Sequence, residues 1–215
     1  MPTNSVALIH ATPLAMPPIS DAFARELPEV PLLHLLDEGL LAVLEPGGAI
    51  GPRAVDRMTR VIGLARDSGA ALIQLTCSAY SPLVPTLRLL APVPVLAVDD
   101  VLVETAVRRG RRIGLISTQS LTERALRAAA DRAGVELDLA AIVFRTAFEA
   151  LARGDFDGHD RLLAEQIRAM GDRDVIVLGQ ASMARVMPTL SPELAARVLT
   201  SPGLAVAEAQ RVLGI

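Results

Sequence analysis

Cys77 combines the chemistry of an acid, a base and a nucleophile with a position that could use it. It is the single cysteine of the 215-residue chain, and it follows the apolar run Leu72–Leu75 where small residues lead into a helical stretch. A thiol at a helix start is expected to ionise easily, with a pKa of about 3.5–7.5 in place of ~8.5. The chain then repeats the stretch. At an offset of 103 positions Leu72–Leu87 lies over Val175–Leu190, with Ile73 on Ile176, Leu75 on Leu178 and Pro85-Thr86-Leu87 on Pro188-Thr189-Leu190. Val95-Leu96 falls on Val198-Leu199 in the same register, and Cys77 falls on Gln180. An amide is neither a useful acid nor a useful base near neutral pH, but it donates and accepts hydrogen bonds.

Other reactive side chains are sparse. His10, His34 and His159 have no mutual ligand spacing and no cysteine partner, so no metal is expected. The run Asp155–Asp160 lacks the acids of a calcium loop and reads as a helix entrance. All 21 basic residues are arginine, which excludes both a pyridoxal-phosphate Schiff base and the lysine of a P-loop. The loop Glu45–Pro52 neither follows a strand nor carries a nucleotide-binding glycine pattern.

The elements that must position Cys77 and Gln180 follow from the apolar pattern. Each run reads as a strand buried on both faces, which delivers its last residue to the carboxyl edge of a parallel sheet. The helix start beyond it offers unpaired N–H groups to an anion such as a carboxylate. Further strands are expected at Ser5–Ala11, Val30–Leu36, Val93–Val98, Arg112–Ser117, Glu136–Phe144 and Val198-Leu199. Helices are expected at Ile19–Glu26, Arg53–Ser68, Asp100–Arg109, Thr122–Ala133, Asp160–Met170 and Gly203–Leu213, with a turn at Pro17-Pro18. Leu8-Ile9 overlies Leu115-Ile116 at an offset of 107 rather than 103, so four residues have been gained or lost between repeat blocks.

This rhythm predicts an α/β protein of two pseudo-symmetric lobes, each a mainly parallel sheet flanked by helices. The lobes are expected at residues 1–98 plus 203–215 and at 99–202, with the site in the cleft where the two carboxyl edges face each other.

Composition narrows the function classes. Apolar residues make up 51% of the chain, yet no run reaches the ~20 residues of a membrane span. A net charge of −3 without long blocks, and 2% aromatic residues, give no reason to expect nucleic acid or an anionic membrane as partner. One cysteine excludes an internal disulfide, and the amino-terminal stretch lacks a basic region before its apolar run. A cytoplasmic location is expected.

The duplicated half, LTCSAYSP at the end of an inner strand and LGQASMA at the equivalent place, is similar to the aspartate/glutamate racemase superfamily over essentially the full length. That superfamily also includes hydantoin racemases, maleate isomerase and arylmalonate decarboxylase. The resemblance implies a cofactor-independent enzyme, a homodimer or higher homo-oligomer, working on a small carboxylate. Members typically carry a cysteine at both positions, and the two thiols approach the α-carbon from opposite faces. Here only Cys77 is kept. Thr118, in RIGLIST, matches a position that helps hold a substrate carboxylate. The residues so implied are Cys77 and Gln180 for catalysis, with Thr12, Thr76, Ser78, Ala79, Tyr80, Thr118, Gln119, Ala181 and Ser182 around the substrate.

With one thiol, ordinary two-base racemisation loses a partner. What remains is proton transfer at the carbon α to a carboxylate with Cys77 as acid or base, with decarboxylation of malonate-type acids as the alternative. The family's decarboxylase also uses a single cysteine, on the opposite lobe, which implies the opposite stereochemical face here. A racemase with His10 as second base, a non-catalytic carboxylate binder and a thiol hydrolase are the other readings. Tyr80, the single tyrosine, is expected either in the cleft or packed beneath it.

Overall fold

Alternation of short β-branched and leucine-rich runs with amphipathic stretches builds two parallel sheets, each flanked by helices. The computed structural model describes residues 4–118 and 120–215. Its backbone divides into two units, one holding the described residues up to Asp100 with Pro202–Ile215, the other Val101–Ser201.

In unit one, β1 (Val6–His10) is buried along its whole length and is followed by α1 (Met16–Glu26), β2 (Leu32–Leu36) and the short α2 (Gly39–Ala42). Then come α3 (Pro52–Asp67), β3 (Leu72–Leu75), α4 (Val84–Leu87), β4 (Val95–Ala97) and the start of α5 (Val98–Arg109). The strand order is β2-β1-β3-β4, parallel throughout. Helix α3 buries Ala54, Met58, Val61, Ile62 and Ala65, one stripe at helical spacing.

Unit two repeats the plan. It runs β5 (Arg112–Ser117), α6 (Leu121–Ala133), β6 (Asp138–Val143), α7 (Arg145–Ala152), α8 (Phe156–Ala169), β7 (Val175–Leu178), α9 (Pro192–Ala195) and β8 (Val198–Leu199). The order β6-β5-β7-β8 is that of the first sheet, again all parallel. Ile116, Ile176 and Leu178 pack on Leu163 and Ile167 of α8 and on Met183 and Val186. The closing helix α10 (Ser201–Leu213) returns to unit one, where the Ala205 carbonyl accepts from the buried Gln74 amide at 3.3 Å.

Several elements differ from the expectation. The Pro17-Pro18 pair lies inside the first turn of α1, because a missing N–H costs nothing where no helical acceptor exists. Helix α8 starts at Phe156, four residues early, since Asp155 caps it by accepting from Gly158 N–H at 2.9 Å. Helix α7 has no counterpart in the sequence reading; Phe144 at its N-cap makes no side-chain cap. The segments after β3 and β7 are 3₁₀ helices, Ser78–Leu83 and Ala181–Thr189, each with an internal proline (Pro82, Pro188) that denies an α-helix its i→i−4 bonds.

Candidate active site

Parallel strands end together, so the residues just beyond β1, β3 and β4 share the carboxyl edge of unit one. Thr76 closes β3 with both its groups on the Ile9 carbonyl, the backbone N–H at 3.0 Å and the hydroxyl at 3.0 Å. Cys77 follows in extended conformation and is half-buried. The 3₁₀ turn begins immediately after it, with Tyr80 N–H donating to the Cys77 carbonyl at 3.1 Å. The backbone N–H groups of Ala79 and Tyr80 also point at the thiol.

Burial nevertheless dominates the electrostatics of the sulfur. It pushes the Cys77 thiol up to about 11, the negative charge of Asp99 adds to the rise, and the two N–H donors only partly oppose it. The expected easily ionised thiol is therefore corrected. A six-residue 3₁₀ turn offers two donors rather than the dipole of a long helix, and they do not offset desolvation. The resting group is a protonated acid.

Tyr80 packs beneath the edge. Its ring is fully buried and its hydroxyl donates to the Leu40 carbonyl at 2.7 Å, so only its backbone N–H reaches the sulfur. Ala79 is buried, Ser78 is half-buried, and Thr12 spends its hydroxyl on Leu14 N–H at 3.4 Å.

His10 and His34 form a pair that their sequence spacing conceals. The β1–β2 register sets Leu8 beside His34 and His10 beside Leu36, which puts the two rings on one face, one diagonal apart. His10 Nε2 lies 3.0 Å from His34 Nδ1, and the rings stack at 5.2 Å. The Thr76 hydroxyl, 2.9 Å from His10 Nδ1, donates to Ile9, so it accepts from Nδ1–H and leaves Nε2 to accept from His34. Burial and then the neighbouring His34 hold His10 down to about 4. With both ring nitrogens engaged and no exposure, His10 is unsuited to be the second base.

At the equivalent edge of unit two, Gln180 is extended and half-buried ahead of its own 3₁₀ helix. Its side-chain carbonyl accepts from Thr118 N–H at 2.9 Å, which fixes the amide and leaves its NH₂ as a donor. Gly179 makes this approach sterically feasible: a Cβ there would lie 2.9 Å from Ser117 Cβ and 3.0 Å from Thr122 Oγ1. Ala181 and Ser182 are buried. Gln119 lies outside the described residues.

Two side chains beside Cys77 escaped the sequence reading. Asp99 is 3% exposed in the first turn of α5, and its carboxylate accepts from the Ser81 hydroxyl at 3.3 Å. Burial, with Asp100 adding, holds its carboxyl up to about 7 although Ser81 opposes the rise. In sequence it reads only as an acid at a helix start.

Among the described residues no group of three or more His, Cys, Asp or Glu could hold a metal ion, and no helix is long and apolar enough to cross a membrane. A depression of about 570 Å³ in unit two, lined by Arg168, Asp172, Glu193 and Arg197, contains none of these edge residues.

A search of curated proteins finds no match to the sequence. Solved structures do match in fold. An aspartate racemase from Picrophilus torridus superposes with a TM-score of 0.75 at 14% identity, over 98% of this chain and 94% of that one. Arylmalonate decarboxylase gives 0.66 at 20% identity, over 98% and 92%. Allantoin racemase from Klebsiella pneumoniae gives 0.66 at 19% identity, over 98% and 89%. The model of the Asp/Glu/Hydantoin racemase family matches residues 47–209, a span that takes in Cys77, Thr118 and Gln180. The chain belongs to the Asp/Glu/Hydantoin racemase family.

Proposed function

We propose that the protein is a cofactor-independent enzyme that transfers a proton at the carbon α to the carboxylate of a small acid, with Cys77 as the proton-carrying group. The observation that carries this reading is the setting of the thiol. It stands at the carboxyl edge of a parallel sheet, protonated at rest, with the N–H groups of Ala79 and Tyr80 aimed at the sulfur. Whether the thiolate takes the proton from the α-carbon or Sγ–H returns it to the carbanion so formed, those two donors stabilise the negative charge on the sulfur. The free NH₂ of Gln180 donates to the substrate carboxylate or to the enediolate that develops from it. Ser78, Thr118 and Ser182 complete the polar surroundings of the substrate.

Decarboxylation is the second reading, and the same thiol favours it. Loss of carbon dioxide from a malonate-type acid leaves the electron pair of the broken C–C bond on the α-carbon. Cys77 then protonates that carbon on one face and regains its proton from water. This step asks for a resident acid and no second base, which matches a protonated Cys77 whose counterpart in the repeat is a glutamine. A reducing cytoplasm suits a lone thiol used as an acid, since oxidation to a sulfenic acid would abolish the step.

The test is proton NMR in heavy water on a panel of amino, hydroxy and substituted malonic acids. Deuterium entering an α-carbon, or release of carbon dioxide, identifies the substrate class. A panel in which some acid raises the melting temperature without exchange or decarboxylation supports a non-catalytic binder instead.

A further inference from the structure

We propose that Asp99 is a positioning residue for Cys77: it anchors, through Ser81, the turn whose N–H groups face the sulfur, and its buried carboxylate, once ionised, adds to the burial that already holds the proton on the thiol. This rests on the reading of Cys77 as a proton donor.

Strand register brings the two residues together. Strands β3 and β4 pair Ile73 with Val95, Gln74 with Leu96 and Leu75 with Ala97. Just beyond the last pair β3 runs into Cys77 and β4 into the first turn of α5, which carries Asp99, so both residues leave the sheet at the same carboxyl edge, and the charge of Asp99 acts on the sulfur. Asp99 is also tied to the segment carrying the donors, because Ser81 is the residue after Tyr80 in the same 3₁₀ helix.

The internal repeat supplies an independent observation. At the offset that lays Cys77 on Gln180, Ser81 falls on Ala184 and Asp99 falls on Pro202. The copy without the thiol therefore lacks both the acid and the hydroxyl that holds it. A general structural role in this fold would be needed in both copies; a role tied to the thiol is needed in one.

Electrostatics give the pair its function. Both groups are buried enough to resist ionisation, Cys77 held up to about 11 and Asp99 up to about 7. Once Asp99 is ionised, a thiolate would be a second negative charge in the same dry surroundings, so the sulfur holds its proton more tightly still. After Cys77 has protonated the α-carbon, the same repulsion favours reprotonation of the sulfur from water. Among the described residues, the other charged and titratable groups acting on the pair are Asp100, ion-paired to Arg88 at 3.7 Å, and Tyr80, which is itself influenced by Arg57 and Asp37.

The chain has one cysteine, so alkylation by iodoacetamide reads Cys77 alone in the intact protein. In wild type, the logarithm of the rate should climb with pH, flatten as Asp99 ionises near about pH 7, and climb again. In Asp99→Asn and Asp99→Ser the flattening should vanish, and at about pH 8 alkylation should be faster by roughly tenfold, one pKa unit of coupling. An unbroken climb of unit slope in wild type overturns the proposal, as does a folded Asp99 variant with the wild-type profile. The wild-type profile alone decides the matter if neither variant folds. Because alkylation needs no turnover, a failed substrate panel with a flattened profile would count against the proposed function and leave the Asp99–Cys77 coupling standing.

Discussion

The side-chain carbonyl of Gln180 accepts a hydrogen bond from the backbone N–H of Thr118 at 2.9 Å. At the place where the repeat puts its counterpart of Cys77, the second unit thus holds a fixed amide with its NH₂ free, and no acid or base. The asymmetry has a direct consequence. Gln180→Cys should add the missing second acid–base group and let the enzyme racemise a product that wild type forms in one hand; chiral chromatography of the product over time reads this. Gln180→Ala should lower turnover by about 10–100-fold, the effect of losing one hydrogen bond of about 1.5–3 kcal/mol to a charged group.

Two buried groups of unit one tilt stability in opposite directions with pH. His10 has its folded value pushed below the unfolded 6.5 to about 4, so the unfolded chain binds more protons between them. Its contribution is complete above about 6.5 and is lost as pH falls toward 4. Asp99 has its folded value raised from 3.8 to about 7, so its contribution is complete below 3.8 and is lost as pH rises through 7. In wild type the two oppose each other. Asp99→Asn removes one, so calorimetry should find a larger drop in Tm between about pH 7 and 4 in the variant than in wild type, by at least about 3 °C.

Tyr80 acts as an anchor. Tyr80→Phe removes the donor to the Leu40 carbonyl, which then loses its 2.7 Å partner inside the protein. The expected loss is about 1–3 kcal/mol in urea unfolding. Turnover per folded molecule should change little, because the backbone N–H that faces Cys77 is retained.

Gly179 is held to glycine by close approach. An alanine Cβ would press on Ser117 Cβ at 2.9 Å and on the Thr122 hydroxyl at 3.0 Å. Gly179→Ala should destabilise by about 1–3 kcal/mol through overpacking and displace the neighbouring Gln180. Urea unfolding reads the first effect, and a fall in turnover comparable to that of Gln180→Ala reads the second.

What the sequence made legible is what repeats or alternates locally. The offset of 103 set Cys77 and Gln180 at matching strand ends, and both sheets have the same strand order. Relationships set by register across strands were hidden. The His10–His34 contact joins residues 24 apart through the β1–β2 pairing, and Asp99 reaches the turn after Cys77 through Ser81, 18 residues away, because β3 and β4 end at the same edge. The direction of the Tyr80 ring was also open, since a 3₁₀ turn interrupted by Pro82 aims it differently from an α-helix. The acidity of the thiol was misjudged for a related reason: a short turn supplies two N–H donors, and burial outweighs them. The difference between the two copies, Ser81 against Ala184 and Asp99 against Pro202, is the one local signal that could have pointed to the acid.

The central claim is that Cys77 carries the proton. Wild type and Cys77→Ala should be followed side by side by proton NMR in heavy water with the acid that the panel identifies. The account predicts deuterium at the α-carbon of the product, delivered to a single face, in wild type, and a loss of at least about 1,000-fold in the variant, in line with removal of a general acid. A folded Cys77→Ala protein that still labels the α-carbon at the wild-type rate would contradict it.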